Sequence, residues 1–352
     1  MNPRAIIEID GVNVRWTDLI DLRIENTLYL AADSLEATLD NSLLLSDWIR
    51  KQQKVKAYVG YVRDPENWRK EELTHLFTGK IDGVKPGFSN PYTVKVICRD
   101  LSAPMIDTEY SVAYVERTSS QLASMFAEKY KLKPRITKTT EIISKDMYSD
   151  KREWEMLQML ADLEGFVCYV TKDEELVFGP RNESDEAPCA TLYSGFTGMP
   201  NCKIEFDDSS VGVINKITVR HWLSKNKVLI EATSQNDALI KSMGYVKERL
   251  YYISKAKTKA MAQQYADKLL KENSRQVVTA TGSCEGNIRM YAEGKVLTKG
   301  FGRFDGSYYL DRVTHSLSKS SGYTCEFDAT NLRPENANQY RNDLYDYKEK
   351  KY

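Results

Sequence analysis

The residue types that most often carry enzymatic chemistry are few in this chain and widely spaced. Its 352 residues include three histidines, His75, His221 and His315, and no H-E-x-x-H or other metal-binding spacing links them. The residues of a catalytic triad come together only in the folded protein, so sequence spacing does not exclude a triad. No G-x-S-x-G motif, however, identifies a serine nucleophile. The histidines therefore identify neither a metal centre nor a nucleophilic enzyme.

The six cysteines form neither a redox pair nor a zinc knuckle. No C-x-x-C spacing occurs, and even the closest two, Cys189 and Cys202, are far apart in the chain. The apolar neighbours of Cys98 and Cys168 are typical of small buried residues. We therefore predict free thiols, made in a reducing cytoplasm.

Two other patterns resemble chemical sites but have simpler explanations. Four acidic residues lie on the polar face of a predicted helix, which favours a solvated surface; they are Glu153, Glu155, Asp162 and Glu164. A glycosidase pair stays open, because sequence spacing does not show the separation of two carboxyl groups. The glycine-rich stretch 300–306 has the spacing G-x-G-x-x-x-G and precedes a strand, which predicts a hairpin connection and not a phosphate loop. We therefore assign no catalytic, cofactor-binding or metal-binding residue, expect no cofactor, and expect that the protein is not an enzyme.

The elements that would position these residues are mostly short strands. Six strands are predicted in the first hundred residues, typical of a small barrel or sandwich: 5–9, 19–24, 34–39, 55–61, 76–81 and 92–98. Three helices follow, one capped by Thr118, one over 151–164 and one over 257–272. Further strands are predicted at 166–170, 176–178, 214–220, 227–232, 276–281, 308–317 and 323–328.

Composition and charge exclude several classes of protein. Fifty basic and fifty acidic residues give a net charge of zero, which disfavours a dedicated nucleic-acid binder. The hydrophobic fraction of 41% excludes a disordered chain. No apolar run is long enough for a membrane helix, and the N-terminal sequence does not resemble a signal peptide. Because surfaces of zero net charge associate easily, we expect the chain to belong to an assembly.

Two predicted hairpins resemble each other across the chain. The first contains LFTGKID (76–82) and returns with YTVKV (92–96), and the second contains YYLDRV (308–313) and returns with YTCEF (323–327). This alignment equates Phe77 and Ile81 with Tyr309 and Val313. Alternation of burial makes all amphipathic hairpins look alike, so chance similarity and two related β-barrels both remain open.

The order of these elements resembles the baseplate hubs of contractile phage tails and related injection systems, the late control protein D family. Four stretches carry the resemblance: LRI (22–24) with ADSLEATLDN (32–41), FTGKID (77–82) with VICRD (96–100), EWEMLQMLADLEGF (153–166) with LVFG (176–179), and DGSYYLDRVTH (305–315) with GYT (322–324). Together they span about residues 4–332. No spike repeat or lysozyme domain follows Pro334, so the chain resembles a hub alone. His315 recurs in this ending, and its strand position predicts a hydrogen-bonded structural histidine.

The resemblance implies an α+β fold with two similar antiparallel β-barrel (tube) domains and α/β insertions between and within them. The expected domains are a first barrel at 1–100, an α+β domain at 101–205, and a second barrel at 206–332 with a helical insert at about 233–275. A C-terminal tail at 333–352 is expected to be solvated or to order against a partner.

The implied function is structural. Hubs of this family are homotrimers whose six barrels match the threefold central spike to the sixfold tail tube and continue the tube channel. The implied partners are further copies of the chain, the tail tube protein, the central spike protein, and other baseplate and tape-measure components, without specific nucleic-acid binding or membrane insertion. Assembly would take place in the bacterial cytoplasm, and the protein would form part of a phage or a tail-like bacteriocin. The alternatives are a tail-associated peptidoglycan hydrolase, which needs an acid in an apolar cleft or a metal site, and a carbohydrate-binding module, which needs exposed aromatic residues.

Overall fold

The computed structural model describes most of the chain. The described ranges are 2–27, 32–110, 116–140, 151–164, 166–180, 187–198, 200–208, 213–223, 228–253, 256, 258–274 and 278–331. The predicted tail at 333–352 lies outside them.

The described residues form 21 strands and six α-helices. The strands are β1 (Asn2–Ile9), β2 (Val12–Val14), β3 (Leu19–Thr27), β4 (Ser34–Asp40), β5 (Lys54–Val62), β6 (Thr74–Gly87), β7 (Thr93–Asp100), β8 (Glu109–Tyr110), β9 (Lys133–Ile136), β10 (Lys151–Arg152), β11 (Val167–Val170), β12 (Glu175–Gly179), β13 (Ala190–Tyr193), β14 (Cys202–Asp207), β15 (Lys216–Leu223), β16 (Val228–Gln235), β17 (Glu248–Tyr252), β18 (Thr279–Glu285), β19 (Lys295–Lys299), β20 (Gly306–Ser318) and β21 (Gly322–Thr330). The helices are α1 (Leu45–Trp48), α2 (Ala103–Asp107), α3 (Ser119–Lys129), α4 (Glu153–Glu164), α5 (Asp237–Met243) and α6 (Lys259–Asn273).

The chain divides into two compact units. The first comprises Met1–Glu205 and Ala280–Tyr352, and the second comprises Phe206–Thr279. The predicted fold class, an α+β protein with two similar, mainly antiparallel β parts and α/β insertions, is confirmed. The domain boundaries given above remain a prediction.

One 13-stranded sheet unites the two β parts within the first unit. Its order is β14-β18-β21-β20-β3-β4-β7-β6-β5-β1-β2, with β19 beside β20 and β13 beside β19. The sheet contains two sets of five strands, which we call set one (β3, β4, β5, β6, β7) and set two (β14, β18, β19, β20, β21). When the five strands of a set are numbered along the chain, they lie side by side in the order first, second, fifth, fourth, third in both sets. The weak sequence repeat is therefore matched by a repeat of topology, and β3 of set one pairs with β20 of set two.

Alternation of apolar and polar residues explains why these segments form strands. In β4, Leu35, Ala37 and Leu39 are buried while the residues between them are partly exposed. This period of two gives a sheet one buried face, and β7 shows the same pattern opposite β4.

The strand registers correct the alignment of the two hairpins. In β6 a bulge lies between Ile81 and Gly83, and in β20 a bulge lies between Leu310 and Arg312. When Thr93 of β7 is aligned with Thr324 of β21, the pairing of each return strand makes Ile81 equivalent to Leu310 and Asp82 equivalent to Asp311. The alignment of Ile81 with Val313 is therefore wrong by three residues, because the shared bulge outweighs the spacing of the apolar residues.

The helices α2, α3 and α4 and the sheet β11-β12-β9 share a separate core in the first unit. Leu122, Phe126, Leu157, Leu160 and Phe178 are all inaccessible there. The predicted cap is confirmed, since the Thr118 hydroxyl accepts a hydrogen bond from the Gln121 N–H and Gln121 completes a capping box.

The second unit packs one helix on a small sheet. Strands β16, β15 and β17 form the sheet, and Ile217 and Val219 pack with Ala262 and Ala266 of α6. The helix predicted over 257–272 is confirmed as α6, with Thr258 as its cap. None of the described helices is both long and apolar enough to cross a membrane.

Candidate functional site

A cavity of about 260 Å³ lies in the first unit. Strand β6 lines one wall with His75 and Phe77, and α4 contributes Trp154. Two acidic residues, Asp33 before β4 and Asp100 at the end of β7, also line it. Because Ser34 of β4 lies opposite Arg99 of β7, these two acids lie at the same end of the two paired strands.

The two carboxyl groups are tied to neighbouring backbone. Asp33 accepts hydrogen bonds from the Thr27 N–H at 2.8 Å and from Asn26 Nδ2 at 2.9 Å. Asp100 accepts from the N–H and the hydroxyl of Ser102, at 2.9 and 2.5 Å, directly before α2. These contacts fix the chain at the ends of β3 and β7, which is a structural role.

Burial also changes the acidity of the pair. It raises the pKa of Asp33 to about 6, and it raises the pKa of Asp100 to about 8 with help from the nearby Asp33 charge. Burial therefore favours the neutral, protonated form of Asp100. Sequence reasoning missed this pair, since only the pairing of β4 with β7 brings the two residues together.

His75 is held on the cavity wall. Its Nε2 lies 3.0 Å from the carbonyl oxygen of Phe77 and 2.8 Å from the hydroxyl of Thr78, and its ring stacks on Tyr58 at 5.0 Å. Burial lowers the pKa of His75, so the ring is mostly neutral at pH 7.

The expected solvated face of α4 is wrong at two positions. Glu153 is 0% exposed and accepts hydrogen bonds from Lys129 and from the Tyr130 hydroxyl, while the buried Glu164 accepts one from Ser119 at 2.7 Å. Partners on and just after α3 compensate the burial of these carboxylates, which sequence periodicity does not show. Glu155 is exposed as expected, and the Asp162 side chain lies outside the description.

His315 is confirmed as a buried, hydrogen-bonded histidine. Its Nε2 lies 3.1 Å from the Met290 carbonyl oxygen, to which it donates, so Nδ1 accepts from the Tyr323 hydroxyl at 2.7 Å. Cys325 Sγ lies 3.2 Å from the same Nδ1. A hydrogen bond from Cys284 lowers the pKa of Cys325 against the effect of burial. Since Cys325 is inaccessible, this thiol has no path to an external substrate.

Two further sequence predictions concern the cysteines and the glycine-rich stretch. All six cysteines are free, and Cys98, Cys168, Cys284 and Cys325 are buried. The stretch 300–306 joins β19 to β20 as an antiparallel hairpin connection, as predicted. Within the described ranges, no three His, Cys, Asp or Glu side chains cluster in a way that could hold a metal ion.

Exposed aromatic residues occur on one face of the second unit. Trp222 of β15 and Tyr252 of β17 are 54% and 74% exposed, on the sheet face opposite α6. An ion pair between Arg220 and Glu231 lies on the same face. Exposed aromatic residues are what the carbohydrate-binding alternative requires, and the sequence alone did not show which aromatic residues are exposed.

The fold is similar to that of several solved proteins. A tail protein from Neisseria meningitidis MC58 superposes with a TM-score of 0.71 at 16% identity, covering 94% of this chain and 97% of that protein. The 43 kDa tail protein of prophage MuSo2 from Shewanella oneidensis gives 0.68 at 15% identity, covering 95% and 99%. The E. coli c3393 protein, described as a type VI secretion component with structural similarity to the T4 bacteriophage tail proteins gp27 and gp5, gives 0.54 at 11% identity, covering 93% and 77%.

The sequence gives a second line of comparison. No curated protein matches it significantly. The model of the family described as the Alg8 N-terminal domain matches residues 69–319, well over half of the 352 residues, and the chain therefore belongs to the Alg8 N-terminal domain family.

Proposed function

We propose that this protein is the structural hub of a contractile tail baseplate, as its resemblance to the late control protein D family implies. The observation that carries the proposal is the repeat of five strands in one topology within a single sheet. One chain thereby presents two similar β surfaces, and three chains would present six. Such an assembly matches a threefold spike to a sixfold tube.

The similar folds support this assignment at the level of architecture. The tail proteins from Neisseria and Shewanella are matched over nearly their whole length. A type VI secretion component that is described as structurally similar to T4 bacteriophage tail proteins shares the fold as well. The domain boundaries at 100, 205 and 332 belong to the same proposal.

The proposed partners follow from the position of a hub. They are two further copies of the chain, the tail tube protein, the central spike protein, and other baseplate and tape-measure components. The hub would be assembled in the bacterial cytoplasm and carried in the particle. A net charge of zero suits a channel wall that binds neither nucleic acid nor a passing effector tightly.

Counting copies in the assembled particle tests the proposal. Cryo-electron microscopy of the particle that contains this chain should show three copies between a threefold spike and a sixfold tube. A ring of six copies would remove the role as a symmetry adaptor.

A peptidoglycan hydrolase remains the second candidate, because Asp100 supplies a protonated carboxyl beside a cavity. The hub proposal predicts that the purified protein does not lyse peptidoglycan in a zymogram. Lysis by the wild type that disappears in Asp100→Asn, with the fold retained, would replace the hub by the enzyme.

A further inference from the structure

The strand β6 has one edge that is only half paired. On one side β7 pairs with it from Gly79 to Gly87. On the other side β5 pairs with it only from Thr74 to Lys80. Among the described residues, no strand pairs with this second side between Gly83 and Gly87. An unpaired edge of this kind can accept a further strand.

The equivalent edge in set two is fully paired. Strand β20 has β21 on one side, and on the other side β19 pairs as far as Tyr309. Strand β3 then continues that side from Arg312 to Ser318. The shared bulge makes Gly83 of β6 equivalent to Arg312 of β20. Strand β3 therefore pairs with the part of β20 whose equivalent in β6 has no strand beside it.

Burial differs between the sets at this place. Leu317 and Tyr323 at the end of the second hairpin are 2% and 4% exposed, and Leu317 lies opposite Leu22 of β3. Their equivalents at the end of the first hairpin, Phe88 and Tyr92, are 65% and 49% exposed. Phe88 is thus exposed where the repeat predicts cover by a strand equivalent to β3, whereas Tyr323 is covered by Gly286 and Tyr61.

The strand equivalent to β3 in set two is β14. It is the terminal strand of the sheet and has β18 as its only neighbour in the described part of the chain. A Cβ on Gly282 of β18 would lie 3.1 Å from Ile204 Cγ1. Ile204 therefore lies beside Gly282, as Leu22 lies beside Ala37 in set one. Ile204 is only partly buried, whereas Leu22 is 1% exposed.

We propose that the free edge of β6 in one copy pairs with β14 of a second copy of this chain, and that Phe88 packs on Ile204 of that copy. This contact between chains, which we call the β6–β14 joint, repeats the pairing of β3 with β20 within the chain. The two edges differ, so the contact is head-to-tail and closes a ring by rotation. The inference deepens the proposed hub and rests on it for the number of copies.

Two residues at the end of β6, Pro86 within the strand and Phe88 just after it, suit a specific joint. Pro86 has no N–H, which lowers the number of ladder hydrogen bonds and protects the edge from unrelated strands. Specificity then depends on side chains at the joint, above all on the apolar contact of Phe88.

Cross-linking tests the joint directly. One variant carries Phe88→Cys and a second carries Ile204→Cys, both with Cys202→Ser to remove the nearby native thiol. When the two are mixed and oxidised, we expect a disulfide between positions 88 and 204, identified by mass spectrometry. As a matched control, Phe196→Cys replaces Phe88→Cys, because Phe196 is 97% exposed and lies on neither edge. The 88–204 yield should exceed the control at least tenfold, and equal yields would overturn the joint.

A substitution of the same residues gives a second readout. Phe88→Asp should weaken self-association in sedimentation at least about tenfold, because burial of a phenylalanine is lost. Phe196→Asp should leave association unchanged. Unchanged association of a folded Phe88→Asp protein would contradict the inference.

The test separates this joint from the hub itself. Three copies in the particle without the 88–204 disulfide would keep the hub and discard the β6–β14 joint. The disulfide in a ring of another number would keep the joint and discard the symmetry adaptor.

Discussion

At the residue scale, the paired acids Asp33 and Asp100 are the most unusual feature of the first unit. Their hydrogen bonds hold the ends of β3 and β7, while burial disfavours their charged forms. A carboxyl whose pKa is higher in the folded than in the unfolded protein stabilises the fold at low pH. That stability is lost as pH rises from the unfolded pKa, about 4, through the folded pKa.

We therefore predict that the free energy of unfolding contributed by this pair falls between about pH 4 and pH 8. Asp100→Asn keeps an acceptor for Ser102 and removes the titration, so it should flatten this dependence. At pH 8 the variant should be more stable than the wild type by several kcal/mol, at about 1.4 kcal/mol for each unit by which the pKa is raised. Urea unfolding at pH 5 and pH 8 measures both effects.

The exposed Asp47 offers a matched control for that experiment. Asp47→Asn should leave the difference between pH 5 and pH 8 as in the wild type. An Asp100→Asn protein with the full wild-type pH dependence would show that the pair does not carry it.

At the element scale, the approach of β6 to β7 depends on glycine. A Cβ at Gly79 would lie 2.2 Å from the Arg99 carbonyl oxygen, and backbone there cannot move aside without disturbing the ladder. A Cβ at Gly83, four residues along the same strand, would meet only the Ile97 side chain at 3.7 Å.

We predict that Gly79→Ala destabilises the protein by about 2–3 kcal/mol, the upper part of the range for an overpacked core. Gly83→Ala should change stability by less than about 1 kcal/mol and is the matched control. Thermal unfolding at one protein concentration measures both. Equal effects of the two substitutions would refute the steric explanation.

At the scale of the whole molecule, the second unit is an insertion between two strands of set two. In set one only residues 28–33 separate β3 from β4, whereas residues 208–278 separate β14 from β18. The second unit has its own core around Ile217 and Val219.

We therefore predict that replacing 208–278 by a short Asn-Gly turn leaves the 13-stranded sheet folded. The variant should keep a strand-rich circular dichroism spectrum and unfold cooperatively, because β14 and β18 are already neighbours. Adding Leu35→Asp to it should abolish that transition, which identifies the sheet as its source. A variant that lacks a cooperative transition from the outset would show that the sheet needs the second unit.

The local pattern of apolar and polar residues was sufficient to predict most strands and helices. Alternating residues such as Leu35, Ala37 and Leu39 predicted strands, and the apolar face Trp154, Leu157, Leu160 and Ala161 predicted α4. The acidic face of α4 was misjudged at Glu153 and Glu164, since their partners come from another helix and the residue after it. The Asp33–Asp100 pair was not predictable, because their proximity arises from strand pairing and not from spacing.

The sequence by itself determined most strands and helices, the Thr118 cap, the structural histidine and the existence of two similar hairpins. Each of these follows from short-range periodicity, capping or burial, which are encoded within a few residues. Only the tertiary structure decided the register of the repeat, the union of both β sets through β3 and β20, and the free edge beside Phe88. Those depend on which distant strands pair, and many pairings satisfy the same alternation of apolar and polar residues.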